Sequence, residues 1–186
     1  DGFNLSRPSF DLALINEAKR RGLTVLEETN LDQPSREKDG WALSGQKEGQ
    51  VVRLRSDFLV DATGRSAWLA RLMKSERLTF DKLVGVVGYF RSKASANLEG
   101  NRILVEACQD GWWYSAPLTD GRMVAVFMTD SDMVSEFPGK PSELWLKRLE
   151  SSIHTKNRVS NLEAENGAVV RQACGQTLSE VVGADW

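Results

Sequence analysis

With 186 residues, the chain has the length of one domain or slightly more, and a domain of this size buries roughly 70% of its unfolded surface. Its 24 Lys and Arg residues nearly balance 26 Asp and Glu residues, so no basic field attracts phosphates and we expect no nucleic-acid partner. No apolar run approaches the roughly 20 residues that span a bilayer, and no signal segment is recognisable. We therefore expect a cytoplasmic protein without a membrane span.

The two ends of the chain suggest an internal fragment. The first residue is not Met, and the last four, Gly183-Ala184-Asp185-Trp186, form an apolar-ending stretch without a terminating signal. We expect a piece of a larger protein.

The first predicted element is a helix over residues 8–21. Pro8 suits its first turn, and Gly22 after three basic residues supplies a stop signal. Apolar residues recur along one side of it at Phe10, Leu14 and Ala18. This stripe predicts that the helix packs one face on a sheet, whose first strand we predict at residues 23–27.

A small β-meander is predicted next, with segments 41–43 and 51–55 on either side of a turn. It leads into a predicted buried strand at 57–61, which breaks at Gly64 and continues into a helix at 66–73. In open α/β sheets, ligands bind at the carboxyl ends of such strands. The stretch around Asp61 is therefore a candidate ligand site.

The most regular strand signals come later, at residues 83–90, 102–108, 111–118 and 123–129. Asp120-Gly121 supplies the turn of a tight hairpin, so these strands should be antiparallel neighbours. Several of them are apolar on both faces, which requires a cover on each side. We expect helices such as 142–149 on one side, and a ligand cavity or a further part of the polypeptide on the other. Residues 168–170 are a strand or an extended connection.

Other chemistries find little support. The single histidine, His154, has no acid or nucleophile at a recognisable spacing and is predicted to be a surface or helix-end residue. Gly64-Arg65-Ser66 lacks the second glycine of a serine-hydrolase elbow. Cysteine spacing does not suit zinc, and the acidic residues near Asp130 do not have calcium-loop spacing, so we predict no metal site.

The first helix carries a resemblance to a known family, on Arg7, Phe10, Asp11, Leu14, Ala18 and Gly22. Their spacing matches the Arg-x-x-Phe-Asp-x-x-Leu-x-x-x-Ala-x-x-x-Gly helix of FAD-dependent aromatic-ring hydroxylases, geranylgeranyl reductases and tryptophan halogenases. The segment from Asp61 to Arg65 resembles the Asp-Ala-Thr-Gly-Arg sequence that follows the β-meander in these enzymes. Together the two matches cover about the first third of the chain.

The resemblance implies FAD as cofactor, with NADPH or NADH as a possible reductant, and cofactor contacts from Arg7, Asp61, Thr63, Gly64 and Arg65. Gly64 allows close approach of the backbone, and the amino end of the next helix favours an anionic group. Equally, Asp61 could end a strand, Thr63 cap the helix and Arg65 be solvated. Hydroxylase-type relatives have aspartate where Thr63 stands, which weakens the case for an NADPH-linked hydroxylase.

A second resemblance lies in Gly111-Trp112-Trp113-Tyr114-Ser115-Ala116-Pro117. It is similar to the Gly-Trp-x-Trp-x-Ile-Pro segment of flavin-dependent halogenases, with Tyr114 and Ala116 as departures. That segment lies between flavin and substrate, which implies substrate contacts from Trp112, Trp113, Tyr114 and Pro117. Packing of these aromatic side chains in a core is the stronger alternative.

The sequence thus predicts an α+β fold in three parts. Residues 1–75 are expected to form part of a FAD-binding domain, residues 76–168 an antiparallel substrate-domain sheet covered by helices, and residues 169–186 a return segment. The predicted function is that of a FAD-dependent oxidoreductase, monooxygenase-like or halogenase-like, acting on a small organic substrate that is apolar or aromatic. The alternatives are a flavin-dependent halogenase and a non-enzymatic binding module with an aromatic sheet. On its own, the chain is expected to bind FAD weakly and to be inactive.

Overall fold

The computed structural model describes residues 5–92, 102–165 and 167–186, and the chain divides into two units. The meander unit contains Ala13–Leu78 and Gln176–Trp186, and the sheet unit contains Thr79–Gly175 with the residues up to Leu12. Helices account for 25% and strands for 38%, which confirms the predicted α+β class. The predicted division into 1–75, 76–168 and 169–186 stays a prediction.

Helix α1 spans Arg7–Arg20 and so agrees with the predicted bounds. It ends at Gly22, whose φ of 94° is in the left-handed region that glycine tolerates, and Glu17 forms ion pairs with Arg20 and Arg21 in the last turn. The predicted packing of its apolar face is wrong for the described chain, because no residue of α1 is buried and Leu14 is 54% exposed. The stripe is present, but the described residues do not cover it.

The meander unit is built on strand β3, Gly40–Lys47, as predicted. Strand β4, Gln50–Ser56, pairs along one edge of β3. Two short strands, β1 at Thr29–Leu31 and β2 at Ser35–Glu37, pair in turn along the other edge. The predicted strand at 23–27 is wrong: the first strand begins at Thr29, in a stretch whose polar composition does not suggest a strand.

The predicted buried strand at 57–61 is not formed. Phe58 is 50% and Val60 is 81% exposed, and no described strand pairs with this segment. Its backbone is held by a bond from the Leu59 N–H to the Asp185 carbonyl oxygen, at 3.1 Å, and by two bonds between Phe58 and the Ser56 hydroxyl. A strand requires a neighbour to satisfy its backbone groups, and an apolar run supplies the side chains but not that neighbour.

The predicted helix at 66–73 is divided into two pieces. A 3₁₀ turn at Gly64–Ser66 is followed by helix α2 at Trp68–Leu72, and Ala67 between them has a left-handed φ of 45°. Strand β5, Arg77–Thr79, then pairs with strand β12, Gln176–Leu178, so the end of the chain returns to this part of the fold.

The sheet unit confirms the predicted antiparallel strands. Its central strands are β6 (Leu83–Ser92), β7 (Leu104–Cys108), β8 (Gly111–Pro117) and β9 (Arg122–Asp130). They lie in the order β6-β9-β8-β7. Strands β10 (Leu162–Ala164) and β11 (Val169–Gln172) pair with successive parts of the free edge of β6.

Three helices follow β9: α3 at Ser131–Ser135, α4 at Pro141–Glu150 and α5 at His154–Val159. Trp145 of α4 is buried, and its indole N–H donates to the Ala125 carbonyl oxygen at 3.1 Å. Gly88 leaves room for that ring, because a Cβ there would lie 2.5 Å from it. The helix therefore supplies the predicted cover on one face of the sheet. None of the helices in the described ranges is long and apolar enough to cross a membrane.

Candidate functional site

The turn after Val60 is organised by the Asp61 carboxylate. Oδ1 accepts hydrogen bonds from the Thr63 N–H at 2.9 Å and the Thr63 hydroxyl at 2.5 Å. Oδ2 accepts from the N–H groups of Leu69 at 2.8 Å and Ala70 at 3.4 Å. Asp61 therefore caps the amino end of α2 from seven residues before that helix begins.

Thr63 completes this cap. Its hydroxyl donates to Asp61 and accepts from the Trp68 N–H at 3.1 Å, so three free N–H groups of α2 have partners within the chain. Burial alone would raise the pKa of Asp61, but the hydrogen bonds from Thr63, Leu69 and Ala70 hold that pKa below its ordinary value. The amino end of α2, which we expected to favour an anionic ligand, is already bound to a carboxylate of the chain.

Gly64 and Arg65 form the outer part of the turn. Gly64 has a φ of 64°, and nothing lies within 4 Å of the position where a Cβ would be. The carbonyl oxygen of Arg65 accepts from Arg77 Nη2 at 2.6 Å, and that of Ser66 accepts from the same nitrogen at 3.2 Å. The backbone is thus fixed from within while its outer side at Gly64 is open.

A cavity of about 470 Å³ lies beside this turn, within the meander unit. Asp61, Thr63 and Ser66 supply polar groups, and the rest of the lining is mainly apolar, with Leu31, Leu43 and Trp68 among its members. Its volume is within the ≈ 300–1,000 Å³ range of small-molecule sites. It suits an apolar ring rather than a phosphate.

Arg7 lies in the first turn of α1 and is largely exposed. Its guanidinium forms an i,i+4 ion pair with Asp11 at 3.3 Å. Such a pair contributes little to stability in water. The guanidinium is therefore able to exchange Asp11 for an anionic ligand.

Strand β8 separates its aromatic residues by face. Trp113 and Pro117 point to the helix-covered side and are buried, and Trp113 has no exposed surface. Its ring contacts Phe127 at a centroid distance of 5.2 Å and Trp145 at 6.0 Å. The structure thus places Trp113 in the core, which was the alternative left open by the sequence.

The opposite side of the sheet carries what we call the aromatic face. Registers pair Trp112 with Met128 and Tyr114 with Val126, and these four side chains are partly exposed. The neighbouring strand adds Val87 and Tyr89 to the same face. Arg122 lies over the Tyr89 ring at 4.9 Å and pairs with Asp120 and Glu165 at the edge. This face is mainly apolar, contains three aromatic rings and has a charged rim.

Comparison with known proteins gives the chain its relatives. The chain matches no protein-family model. It is 28% identical to the putative FAD-dependent oxidoreductase LodB of Marinomonas mediterranea over 94% of this chain and 47% of that protein. It is 26% identical to a tryptophan 2-halogenase of Chondromyces crocatus over 72% of this chain and 27% of that protein. The homologues and structural neighbours of this chain are FAD-dependent oxidoreductases and flavin-dependent halogenases.

A solved structure extends this result. The peptidyl tryptophan dihydroxylase QhpG is 29% identical, with a TM-score of 0.71 over 98% of this chain and 39% of that one. These relatives are enzymes. The chain spans about half the length of LodB and a smaller share of the other two. The predicted family resemblance is therefore confirmed.

The residues of the turn fit FAD in a specific way. The open backbone at Gly64 admits close approach of a ligand, and the cavity beside Thr63 accepts a planar apolar group. Asp61 and the Thr63 hydroxyl already have partners within the turn, so Gly64, Arg65 and the cavity wall would make the direct contacts.

Glu106 and Asp185 stabilise the fold, although the sequence did not lead us to predict a role for either. Glu106 of β7 accepts four hydrogen bonds from Ile153, His154 and Thr155 at the start of α5. Asp185 binds three residues of the meander unit, namely Arg36, Trp41 and Leu59. In the sequence, a single acidic residue within the apolar stretch 104–108 could have indicated a structural role for Glu106. No sequence pattern indicates such a role for Asp185. His154 lies exposed at the start of α5, as predicted.

Proposed function

We propose that the protein is a FAD-dependent oxidoreductase in which the turn at Gly64 contacts the cofactor. The observation that carries the proposal is the Asp61-capped turn, which lines a mainly apolar cavity with Asp61, Thr63 and Ser66 and leaves the Gly64 backbone open. Gly64 and Arg65 contact FAD directly, Asp61 and Thr63 hold the turn, and Arg7 offers a positive charge to an anionic group. The redox chemistry is that of FAD, with NADPH or NADH as reductant.

The first test is the colour of the full-length gene product. We expect it to purify with the visible absorption bands of bound flavin, and to lose them when NADPH or NADH is added without oxygen. Gly64→Val should weaken FAD binding at least tenfold, because its side chain would fill the open space and strain a positive φ. A colourless protein that also fails to bind FAD in calorimetric titration would contradict the proposal.

We further propose that the aromatic face contacts an aromatic substrate. Tyr89, Trp112 and Tyr114 give it flat apolar surfaces with polar edges, which suit stacking against another ring. Two relatives carry tryptophan in their names, the tryptophan 2-halogenase and the peptidyl tryptophan dihydroxylase. An indole is therefore the substrate group that we propose, with Pro117 and Trp113 supporting the strand from behind.

The reaction proposed is insertion of one oxygen atom of O₂ into a ring C–H bond. The second oxygen leaves as water, with two electrons from NADPH or NADH. Mass spectrometry after incubation with tryptophan or a tryptophan-containing peptide should show addition of oxygen, and a peptide with Leu in place of Trp should remain unchanged. Unchanged tryptophan substrates with a correctly reduced flavin would contradict the indole assignment.

Halogenation is the second candidate, supported by the tryptophan 2-halogenase and by Gly111–Pro117. Tyr114 and Ala116 depart from the halogenase segment, just as Thr63 departs from the hydroxylase pattern, so it is the higher identity to the peptidyl tryptophan dihydroxylase that favours oxygen insertion. The same incubation with chloride or bromide distinguishes the two, because halogenation replaces a ring hydrogen with the halogen. The location in the cytoplasm stays a prediction.

A further inference from the structure

Asp185 is the meeting point of three separate parts of the meander unit. Its carbonyl oxygen accepts hydrogen bonds from the indole N–H of Trp41 at 3.2 Å and from the N–H of Leu59 at 3.1 Å. Its carboxylate forms an ion pair with the guanidinium of Arg36, which in turn lies 4.8 Å from the centre of the Trp41 ring. We call Arg36, Trp41, Leu59 and Asp185 the Asp185 clamp.

The clamp is shielded from water at Trp41 and Asp185 and open at Arg36. Trp41 is 5% exposed and the Asp185 side chain 18%, so the hydrogen bond between them is protected, whereas the Arg36 side chain is 55% exposed and its ion pair is partly screened. The indole N–H of a buried tryptophan needs a partner, and here that partner is a backbone oxygen of the last segment. The Arg55–Glu37 ion pair of the same sheet, by contrast, is exposed and 3.4 Å long.

The segment that carries Asp185 is held at its other end as well. Strand β12 pairs with β5, and the Ser75 hydroxyl donates to the Glu180 carbonyl oxygen at 2.7 Å. The Glu180 N–H donates back to that hydroxyl at 3.0 Å. Residues 176–186 are thus tied down at both ends, and Asp185 is a fixed point rather than part of a loose terminus.

This fixed point acts on the segment that enters the cofactor turn. Leu59 precedes Asp61 by two residues, and residues 58–60 have no described strand beside them to set their position. We propose that Arg36, Trp41 and Asp185 are positioning residues, which hold Leu59 and thereby place the turn from Asp61 to Gly64 against the flavin. This inference rests on the proposed function of that turn.

The test measures FAD affinity in the full-length gene product, by titrating apoprotein with FAD and following flavin fluorescence. Arg36→Gln and Trp41→Phe each remove one contact of the clamp and keep most of the side-chain volume. We expect Trp41→Phe to raise the Kd for FAD about tenfold, the effect of losing one buried hydrogen bond, and Arg36→Gln to raise it about threefold, because the Arg36 ion pair is partly exposed. Arg36→Lys should recover part of the affinity, because it keeps the charge.

Arg55→Gln is the matched control, since it breaks an exposed ion pair on the same sheet and should change the Kd less than about twofold. Hydrogen exchange of the Leu59 amide gives a local readout, and it should speed up in both clamp variants but not in the control. Clamp variants with lower melting temperatures but unchanged FAD affinity would overturn the positioning role. Wild-type protein that binds no FAD would overturn the proposed function, and this role with it.

Discussion

Single carboxylates organise local structure at Asp61 and at Glu106. Each accepts four hydrogen bonds, those of Glu106 from the start of α5 and those of Asp61 from Thr63 and the start of α2. Burial alone would raise the pKa of Glu106, but its bonds to Thr155, Ile153 and His154 lower that pKa from 4.5 to about 2. The lowered pKa means that ionised Glu106 stabilises the fold.

Glu106→Gln should lower the free energy of unfolding by about 2 kcal/mol at pH 7, because the amide cannot accept four hydrogen bonds. The stabilisation by Glu106 is complete above its unfolded pKa of 4.5 and is lost as the pH falls to about 2. Denaturant unfolding from pH 7 to pH 2 should therefore show the difference between wild type and variant shrinking below pH 4.5.

Glu150→Gln is the control for this prediction. Glu150 is largely exposed and pairs with Lys156 at 2.6 Å, in the same part of the sheet unit. Loss of that surface pair should cost less than about 0.5 kcal/mol. Equal losses in the two variants would show that the Glu106 cap has no special weight.

At the scale of elements, alternate side chains of β8 lie on opposite faces of the sheet, so one set packs in the core and the other is available for binding. Trp113 points into the core, and Trp112 and Tyr114 lie on the aromatic face. The sequence shows a row of aromatic residues and predicts the strand, but it does not show which side the helices cover. The covered side is the one that Trp145 of α4 packs against. Trp145 lies 32 positions after Trp113, so this contact forms only when the sheet unit is folded.

Trp113→Ala should lower the free energy of unfolding by about 3–5 kcal/mol, since it leaves a large cavity in the core. Trp112→Ala should cost less than about 1.5 kcal/mol and raise the KM for the aromatic substrate while FAD affinity is unchanged. Thermal unfolding, flavin titration and steady-state kinetics measure the three quantities. A raised KM with full stability in the Trp113 variant would show that this residue, too, contacts substrate.

At the scale of the whole molecule, the sequence predicts those parts whose information is local. The strands around Asp120-Gly121, helix α1 and the two long meander strands agree with prediction because each depends on its own turn and apolar pattern. The family is predicted from Arg7–Gly22 and Asp61–Arg65 spacing. The roles of the predicted site residues in binding FAD and substrate stay predictions.

The parts that failed depend on distant partners. Residues 57–61 have the composition of a strand, yet no described strand lies beside them, and the Leu59 N–H bonds instead to the distant Asp185. The Trp41 indole also binds Asp185, across 144 positions of sequence. Likewise, the N–H groups that bind Glu106 come from residues 47 to 49 positions away. No local pattern encodes pairings over such separations.

The close contact between Gly88 and Trp145 has a consequence for how this sheet can vary. Any side chain at position 88 would enter the space of the indole ring, and any loss of that ring would leave a hollow beneath the glycine. The two positions therefore act as one unit of sequence variation, although they lie 57 residues apart. Because Gly88 has no Cβ, the Trp145 ring lies directly against the strand, and this contact sets the distance between α4 and the sheet.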